Sequence, residues 1–347
     1  MRPVAIRFGR LGDMVLLAPL LHRLHMRYGE PCTLLGTGPW SAALYAGHPD
    51  VAKIVQVTAR HRPLLFSPQR WHMLRALHAN RGAPVYICET EPRALAKIRR
   101  MLALAHIDPA HCVFITDLPA LPDEHWVDRL LRLAAQTPVA FTGRGDTNVG
   151  ETPVTAPRLF VDATDRADRD AWLVARGLAG HELILVQPAN KRSIRRNGAR
   201  VASDDDKAWP REHWTALLRA LIAQSPHAKI ILCGALREAP LLEKISNFAA
   251  SANSIVAARD LPLRRLMAVA EIARGMISVD TGPAHVAAAL GCPLVVMFGG
   301  QSPRVWQPRS ATGSAVIALG GSPGAIRVAD IGFDEVLAAW GSLPSRE

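Results

Sequence analysis

The sequence predicts an α/β protein made of two Rossmann-like domains, each built on a parallel sheet. Short apolar runs alternate with amphipathic helical patterns along the 347 residues. These runs form two series, separated by a polar segment at residues 142–157 that is rich in glycine and proline. With 49% apolar and 20% charged residues, the chain has enough apolar material for two cores. Alternation of this kind favours parallel sheets that are covered by helices on both faces.

The elements follow one another in regular order. In the first half, apolar runs predict strands at residues 4–8, 33–36, 54–57, 84–88 and 113–116, with helices at 14–28 and 93–105. In the second half, strands are predicted at 183–187, 229–233, 254–256, 276–279, 294–298 and 315–319, with helices at 211–224, 239–250, 263–273 and 333–340. A helix around 165–176 fits either half, and no internal repeat is present.

Composition narrows the classes of function. Lys and Arg number 41 against 30 Asp and Glu, a formal charge of +11, which favours nucleic acid, phosphorylated substrates or an anionic membrane surface. Nucleic acid is the weakest of these because there is no basic tail and no basic surface interleaved with aromatic residues. The five scattered cysteines lack a C-x-x-C pattern and predict reduced thiols. No signal peptide or membrane span is evident, so we expect a cytoplasmic protein, soluble or peripheral to a membrane.

The first candidate site follows the first strand, at Gly9-Arg-Leu-Gly-Asp13. Two glycines permit a tight turn, and Asp13 then stands at the entrance of a helix. Its carboxylate could cap the free backbone N–H groups of that helix. Alternatively, it could accept a proton from a substrate hydroxyl. The spacing is not the G-x-G-x-x-G of dinucleotide-binding proteins, so hydride transfer has little support.

The second candidate site follows the strand at residues 276–279 and reads Ser278-Val-Asp-Thr-Gly-Pro-Ala-His285. Thr281 or Gly282 could cap the next helix, with Pro283 at its first position. The exposed N–H groups and the helix dipole would suit a diphosphate. His285, in the first turn, could donate to a phosphate or sugar oxygen. An ordinary capped helix with a packed histidine explains the same residues.

The third candidate site spans residues 204–214, where Lys207 precedes a helix and could reach a phosphate. The three aspartates at 204–206 are predicted to be a solvated face, because consecutive carboxylates on a loop seldom bind a metal ion. The basic run at 191–200 could be a mobile loop or a clamp over an acidic ligand.

Two further groups of basic residues lie in the first half. Arg93, Lys97 and Arg100 share one helix face, and Arg60 and Arg62 lie on a loop. They could be solvated faces, or they could hold a phosphorylated acceptor or rest on anionic lipid. No metal-binding, serine-hydrolase or Walker A pattern appears.

Taken together, these elements resemble glycosyltransferase family 9, the ADP-heptose:lipopolysaccharide heptosyltransferases. The matching segments are R-L-G-D-M-V at 10–15, H-P-D-V at 48–51, K-A-W-P at 207–210, C-G-A at 233–235, D-T-G-P-A-H-V-A-A-A-L-G at 280–291 and F-G at 298–299. Their order and spacing hold across about 300 residues, which makes the set specific although each segment alone is weak.

The resemblance implies a GT-B fold, in which two Rossmann-like domains face a central cleft. Residues 1–160 would form the acceptor-binding domain and 161–325 the nucleotide-sugar-binding domain. Residues 326–347 would contain a helix that packs back on the first domain.

The resemblance also assigns roles to residues. Asp13 would be the general base, with Gly12, Arg10, Arg60, Arg62, Arg93, Lys97 and Arg100 on the acceptor side. The donor would be held by Lys207, Glu238, Asp280, Thr281, Gly282 and His285, with no metal and no other cofactor.

The function implied is inverting, metal-independent transfer of a heptose from ADP-heptose to a hydroxyl of a phosphorylated lipopolysaccharide core acceptor, beside an anionic membrane surface. Other readings keep the fold with another nucleotide sugar, or with a protein or another glycan as acceptor. A further reading is a non-catalytic binder of lipopolysaccharide or a nucleotide. Where the family has a His-Pro-Gly-like turn, this chain has Gln187-Pro-Ala-Asn190, and the stretch at 191–206 is long. Both departures leave the donor and the position of the acceptor open.

Overall fold

The chain divides into two compact units, Met1–Phe160 and Val161–Glu347. The computed structural model describes residues 1–58, 67–143, 154–190, 205–249, 253–324 and 326–344, together with the strand pairing of 194–195 and 198–199. The candidate residues Arg60 and Arg62, and most of the basic run at 191–200, lie outside the described residues.

The first unit is built on a five-stranded parallel sheet with the order β3-β2-β1-β4-β5. Its strands are β1 (Val4–Arg7), β2 (Cys32–Thr37), β3 (Val51–Val57), β4 (Val85–Ile87) and β5 (Cys112–Phe114). Its helices are α1 (Leu11–Val15), α2 (Ala18–Tyr28), α3 (Trp40–Tyr45), α4 (Pro68–Ala79), α5 (Pro92–Leu104) and α6 (Trp126–Ala135).

The second unit begins with α7 (Ala163–Ala175) and contains a six-stranded parallel sheet and a short antiparallel pair, β7 (Ile194–Arg195) with β8 (Gly198–Ala199). The order of the large sheet is β10-β9-β6-β11-β12-β13. Its strands are β6 (Leu183–Gln187), β9 (Lys229–Leu232), β10 (Ser254–Val256), β11 (Gly275–Val279), β12 (Leu294–Phe298) and β13 (Val316–Gly320). The other helices are α8 (Arg211–Gln224), α9 (Ala239–Ala249), α10 (Leu263–Ala270), α11 (Gly282–Ala289), α12 (Pro303–Trp306) and α13 (Phe333–Gly341).

The central strands of both sheets are buried along their whole length, as expected for sheets covered on both faces. Helices supply the covering apolar side chains. In the first unit, Ile98 and Leu102 of α5 pack into the same core as Ile6 of β1. In the second unit, Trp214 and Leu217 of α8 share a core with the sheet. All eleven strands that the apolar runs predict are present, and the predicted α/β class is confirmed.

The structure corrects several predicted helices. The helix predicted at 14–28 is two helices, α1 and α2, because Pro19 has no N–H to continue a helix and instead occupies the first turn of α2. The patterns did not predict α3, α4, α6, α12 or the β7–β8 pair. The helix that fitted either half, α7, lies in the second unit, where the Asp162 side chain accepts from the Asp165 N–H as its N-cap.

The last helix, α13, is part of the second unit, Val161–Glu347. Its buried face packs against α8 and the end of the sheet. The ring of Trp340 lies over Gly275, where a Cβ atom would be 2.9 Å from the ring. A glycine at the start of β11 therefore makes room for the helix.

Candidate functional site

Each large sheet has one point where successive crossovers leave in opposite directions, and we call it the switch point. In the first sheet it lies between β1 and β4, and in the second between β6 and β11. Open parallel sheets bind ligands there, beyond the carboxyl ends of the strands. The candidate residues Asp13 and Asp280 follow β1 and β11, so each lies at the switch point of its own sheet.

A buried arginine organises the first switch point. Arg7, the last residue of β1, donates from Nη2 to Asp13 Oδ1 over 2.8 Å. Its Nη1 donates to the Cys88 carbonyl oxygen over 2.6 Å and lies 3.4 Å from Glu89 Oε1. The side chains of Arg7 and Glu89 are 7% and 5% exposed, whereas that of Asp13 is 22% exposed. Asp13 is thus the carboxylate of this cluster that ligands can reach.

Asp13 also serves as a helix cap, as one sequence reading proposed. Its Oδ2 accepts a hydrogen bond from the Arg10 N–H over 2.8 Å, at the start of α1. An ionised carboxylate has about four lone-pair sites, and the bonds from Arg10 and Arg7 use two of them. The Asp13 side chain can therefore cap helix α1 and still accept a proton from a ligand.

Gly9 makes the cluster possible. A Cβ atom at position 9 would lie 2.5 Å from Asp13 Cβ and 3.0 Å from Arg7 Nε. The turn needs glycine because of this close approach.

The second switch point holds an ammonium group against a carboxylate. Lys207 Nζ donates to Asp280 Oδ2 and, over 3.2 Å, to the Asp280 carbonyl oxygen. The two side chains are 19% and 9% exposed. Lys207 thus stands beside the strand end where α11 begins, with part of its side chain accessible.

The N-terminus of α11 has no side-chain cap. Thr281 is the N-cap residue, but its hydroxyl lies 3.2 Å from the Ser278 hydroxyl and not on the helix N–H groups. Gly282 and Pro283 form the first turn. His285 is buried, with Nε2 3.9 Å from Asp280 Oδ1. The N-terminus of α11 therefore presents backbone N–H groups and the positive end of the helix dipole, which suit an anion.

Glu238 stands at the end of β9, beside the second switch point. Its Oε2 accepts from the Ala235 N–H over 2.7 Å, and the side chain is buried. Burial raises the pKa of the Glu238 carboxyl, and the hydrogen bond from Ala235 and the charge of Arg237 only partly oppose this. A buried carboxylate with few partners is suited to receive hydroxyl donors from a ligand.

Of the aspartates before Lys207, which the sequence predicted to be a solvated face, Asp205 is buried, whereas Asp204 lies outside the described residues. Asp205 is 1% exposed. Its Oδ2 accepts from Asn190 Nδ2 over 2.8 Å, and its Oδ1 accepts from the Lys207 N–H over 3.2 Å. The turn that departs from the family pattern, 187–190, therefore helps to position Lys207 through Asp205.

The remaining acceptor-side candidates are spread over the first unit. Gly12 lies in α1 and Arg10 just before it, where Arg10 is exposed. Arg93, Lys97 and Arg100 are exposed on α5. Lys97 and Arg100 lie about 6 and 10 Å further along the helix than Arg93, and only Arg93 stands in the first turn, at the carboxyl edge of the sheet.

Sequence reasoning missed four residues that shape these clusters, Arg7, Glu89, Asn190 and Asp205. Both Arg7 and Glu89 could have been noticed as charged residues beside apolar runs. Arg7 lies within the run at 4–8, and Glu89 directly follows the run at 84–88. These positions become informative only when the order of strands shows that β1 and β4 are neighbours.

Solved structures show the same fold along nearly the whole chain. E. coli ADP-heptose lps heptosyltransferase II has a TM-score of 0.71 at 18% identity, covering 99% of this chain and 98% of that one. E. coli heptosyltransferase WaaC, at 19% identity, covers 98% of this chain and 99% of its own, with a TM-score of 0.67 in its structure with ADP and 0.63 with ADP-2-deoxy-2-fluoro heptose. The predicted GT-B fold class is confirmed.

The profile of glycosyltransferase family 9 (heptosyltransferase) matches residues 117–323, more than half of the chain. The chain belongs to this family, which confirms the resemblance seen in its motifs. Lipopolysaccharide heptosyltransferase 1 of Escherichia coli (strain K12) is 33% identical over 102 residues, 28% of this chain. That alignment spans 30% of the length of the curated relative.

Within the described residues, no helix is both long and apolar enough to cross a membrane. Among the same residues, no three His, Cys, Asp or Glu side chains form a group that could hold a metal ion.

Proposed function

We propose that this chain is an inverting, metal-independent glycosyltransferase that moves a heptose from ADP-heptose to a hydroxyl of a lipopolysaccharide core acceptor. The observation that carries the proposal is the pair of switch points. One presents the carboxylate of Asp13, and the other presents Lys207 beside the uncapped N-terminus of α11. Membership of glycosyltransferase family 9 supports the same reaction class.

The donor binds at the second switch point. Lys207 and the N–H groups at the start of α11, from Gly282 onward, neutralise the diphosphate, with Thr281 and His285 as further donors. Asp280 holds the ammonium of Lys207 in place. Glu238 accepts hydroxyl groups of the nucleotide. The ADP moiety bound by WaaC supports adenosine diphosphate as the leaving group.

The reaction is a single displacement. Asp13 takes the proton from the acceptor hydroxyl as its oxygen attacks C1 of the sugar, and the bond from C1 to the diphosphate breaks with inversion. The charge that develops on the leaving ADP is stabilised by Lys207 and the α11 dipole, which supply the positive charge that a metal ion provides elsewhere.

The acceptor binds at the first switch point, with Gly12 and Arg10 next to Asp13. Arg93, Lys97 and Arg100 attract its phosphates or the anionic membrane surface in which a lipid-linked acceptor is embedded. We place the enzyme on the cytoplasmic side, peripheral to the inner membrane face, where such an acceptor is met by a nucleotide sugar.

Replacement of Asp13 tests the proposal. D13N keeps the shape of the side chain but removes the base, so we expect kcat to fall about 10²- to 10⁴-fold while ADP affinity stays within about twofold. Transfer is measured by mass analysis of truncated core acceptors incubated with ADP-heptose. D117N, an exposed aspartate of the first unit, is the matched control. Undiminished turnover by D13N would refute the assignment of the base.

A panel of ADP-, GDP- and UDP-sugars tests the donor. Nucleotide release in the presence of acceptor should be fastest with ADP-heptose. Faster release from another sugar would assign a different donor to the same fold. Binding without release from any sugar would assign a non-catalytic role.

A further inference from the structure

We infer that Arg7 is the positioning residue for Asp13 and that Glu89 in turn fixes Arg7. The inference rests on the proposed role of Asp13 as general base. It concerns residues outside the motif segments that carry the family resemblance.

The guanidinium of Arg7 is held on three sides. Nη2 binds Asp13, Nη1 binds the Cys88 carbonyl oxygen, and the group lies 5.1 Å from the centre of the Trp126 ring. Arg7 is the last residue of a central, fully buried strand, β1. A donor with so little freedom fixes the carboxylate that it binds, and α1 fixes the same carboxylate from the other side through the Arg10 N–H.

Glu89 is fixed independently of Arg7. Its Oε2 accepts from the Phe8 N–H over 3.2 Å, and its Oε1 accepts from the N–H groups of Thr90 over 2.9 Å and Glu91 over 3.1 Å. It is 4% exposed. A buried carboxylate needs a cation, and Arg7 is the cation that faces it, so Glu89 sets where the guanidinium stands.

The charges favour a functional role. The carboxylates of Asp13 and Glu89 share the guanidinium of Arg7, so the cluster carries a net charge of −1. Asp13 is the partly exposed carboxylate of the two. Arg7 and Arg10 occupy one lone-pair site on each Asp13 oxygen, and the other sites stay open. An acceptor hydroxyl can therefore donate to Asp13 without displacing Arg7. When the proton transfers to Asp13, Glu89 still balances the guanidinium.

The competing explanation is that Arg7 only braces β1 against β4. Arg27 is a matched control because it is 7% exposed, against 6% for Arg7. It donates to the Ala134 carbonyl oxygen over 2.9 Å and lies 5.5 Å from the centre of the Tyr28 ring. Arg27 thus matches Arg7 in its burial and in having a carbonyl and an aromatic contact, whereas Arg7 also contacts Asp13.

The experiment compares R7M, R7K, E89Q and R27M by thermal unfolding and by kcat and KM for ADP-heptose. For R7M we expect kcat about 100-fold lower and a KM for the donor within about twofold of wild type. R7K should recover about tenfold of the lost rate, and E89Q should fall between R7M and wild type. R27M should lower the melting temperature and leave kcat within about twofold of wild type.

A double-mutant cycle separates positioning from bracing. If Arg7 acts through Asp13, R7M lowers kcat about 100-fold in the wild-type background and less than about threefold in D13N. Equal losses in both backgrounds, or no recovery of kcat in R7K, would overturn the inference. If R7M does not fold, R7K and E89Q complete the same cycle. Failure of the proposed function itself would show separately, as full turnover by D13N alone.

Discussion

At the residue scale, the candidate residue Glu238 carries a stability cost that depends on pH. Burial raises the pKa of its carboxyl, so the folded state binds a proton more tightly than the unfolded chain. Stability is therefore greatest below the unfolded value of about 4.3 and is lost as the pH rises through the folded value. At neutral pH the protein bears the whole penalty of the buried charge.

We predict that E238Q is more stable than wild type at pH 7 and binds ADP more weakly. Glutamine keeps an acceptor for the Ala235 N–H but carries no charge, so the melting temperature should rise by about 2–4 °C. ADP affinity should fall about tenfold because hydrogen bonds to a charged acceptor are stronger. Thermal unfolding at pH 7 and pH 4, with and without ADP, measures both effects. The stability gain should shrink at pH 4, and an equal gain at both values would contradict the explanation.

At the element scale, the segment between α3 and β3 joins three parts of the first unit. Asp50 accepts from His25 Nδ1 over 2.7 Å and lies 3.2 Å from His22 Nδ1, so it ties β3 to α2. His48 Nε2 donates to the Arg158 carbonyl oxygen over 3.1 Å, and its Nδ1 accepts from the Asp50 N–H over 3.2 Å. His48 therefore anchors the segment at which the chain leaves the first unit, just before residue 160.

The titration of these groups has a definite sign. Burial lowers the pKa of His48 despite the opposing hydrogen bond to Arg158 and the charge of Asp50. The folded state thus holds the neutral ring, and stability is complete above about pH 6.5 and is lost as the pH falls through the folded value. For Asp50, burial raises the pKa, but the hydrogen bonds from His22 and His25 outweigh it and the net shift is downward. Its contribution is lost only further down, below about pH 4.

We predict that H48Q flattens the dependence of stability on pH between about 6.5 and 5. Wild type should lose at most about 1.4 kcal/mol per pH unit through this one proton, while glutamine can donate to Arg158 without titrating. Urea unfolding at pH 5, 6 and 7 measures the free energy of unfolding. H72Q changes an exposed histidine of α4 and should keep the wild-type slope. A wild-type slope in H48Q would show that His48 does not carry the effect.

At the scale of the whole molecule, the 41 Lys and Arg residues that give the net charge of +11 differ in their surroundings. Some, such as Arg7, are buried beside a carboxylate. Others are exposed on a helix that has no acidic residues. Helix α5 has no acidic residue between Pro92 and Leu104, and Arg93, Lys97 and Arg100 are exposed on it. These exposed side chains are the cations that a membrane surface could reach.

We predict that R93Q/K97Q/R100Q weakens binding to vesicles that contain anionic lipid. At about 1 kcal/mol for each cation near the surface, the partition coefficient should fall on the order of 100-fold at low salt, and less as salt is added. Sedimentation with vesicles of neutral and of mixed neutral and anionic lipid measures this. R211Q/R219Q/R259Q makes the same change in charge at exposed arginines of the second unit and should bind like wild type. Equal losses in both triple variants would assign the attraction to net charge alone.

The sequence by itself determined the two parallel sheets and the position of most of the candidate residues along the chain. Its apolar runs mark every strand of the two parallel sheets, because strands in sheets that are covered on both faces are rich in apolar residues. Asp13, Lys207 and Asp280 were predictable because each follows or precedes an element whose end the pattern locates. The break between α1 and α2 was less visible, since a proline in a first turn does not interrupt the apolar pattern.

Only the tertiary structure decided what surrounds these residues. Glu89 lies about 80 positions beyond Arg7 in the chain, and their contact depends on β4 pairing beside β1. Asp205 reads as one of three solvated carboxylates until Asn190 is seen to bind it. The local sequence pattern shows which residues are apolar and how they repeat. The partners and the burial of a charged side chain depend instead on the order of the strands in the sheet. The physical reason is that the free energy of a charged group depends on the neighbours that folding brings to it.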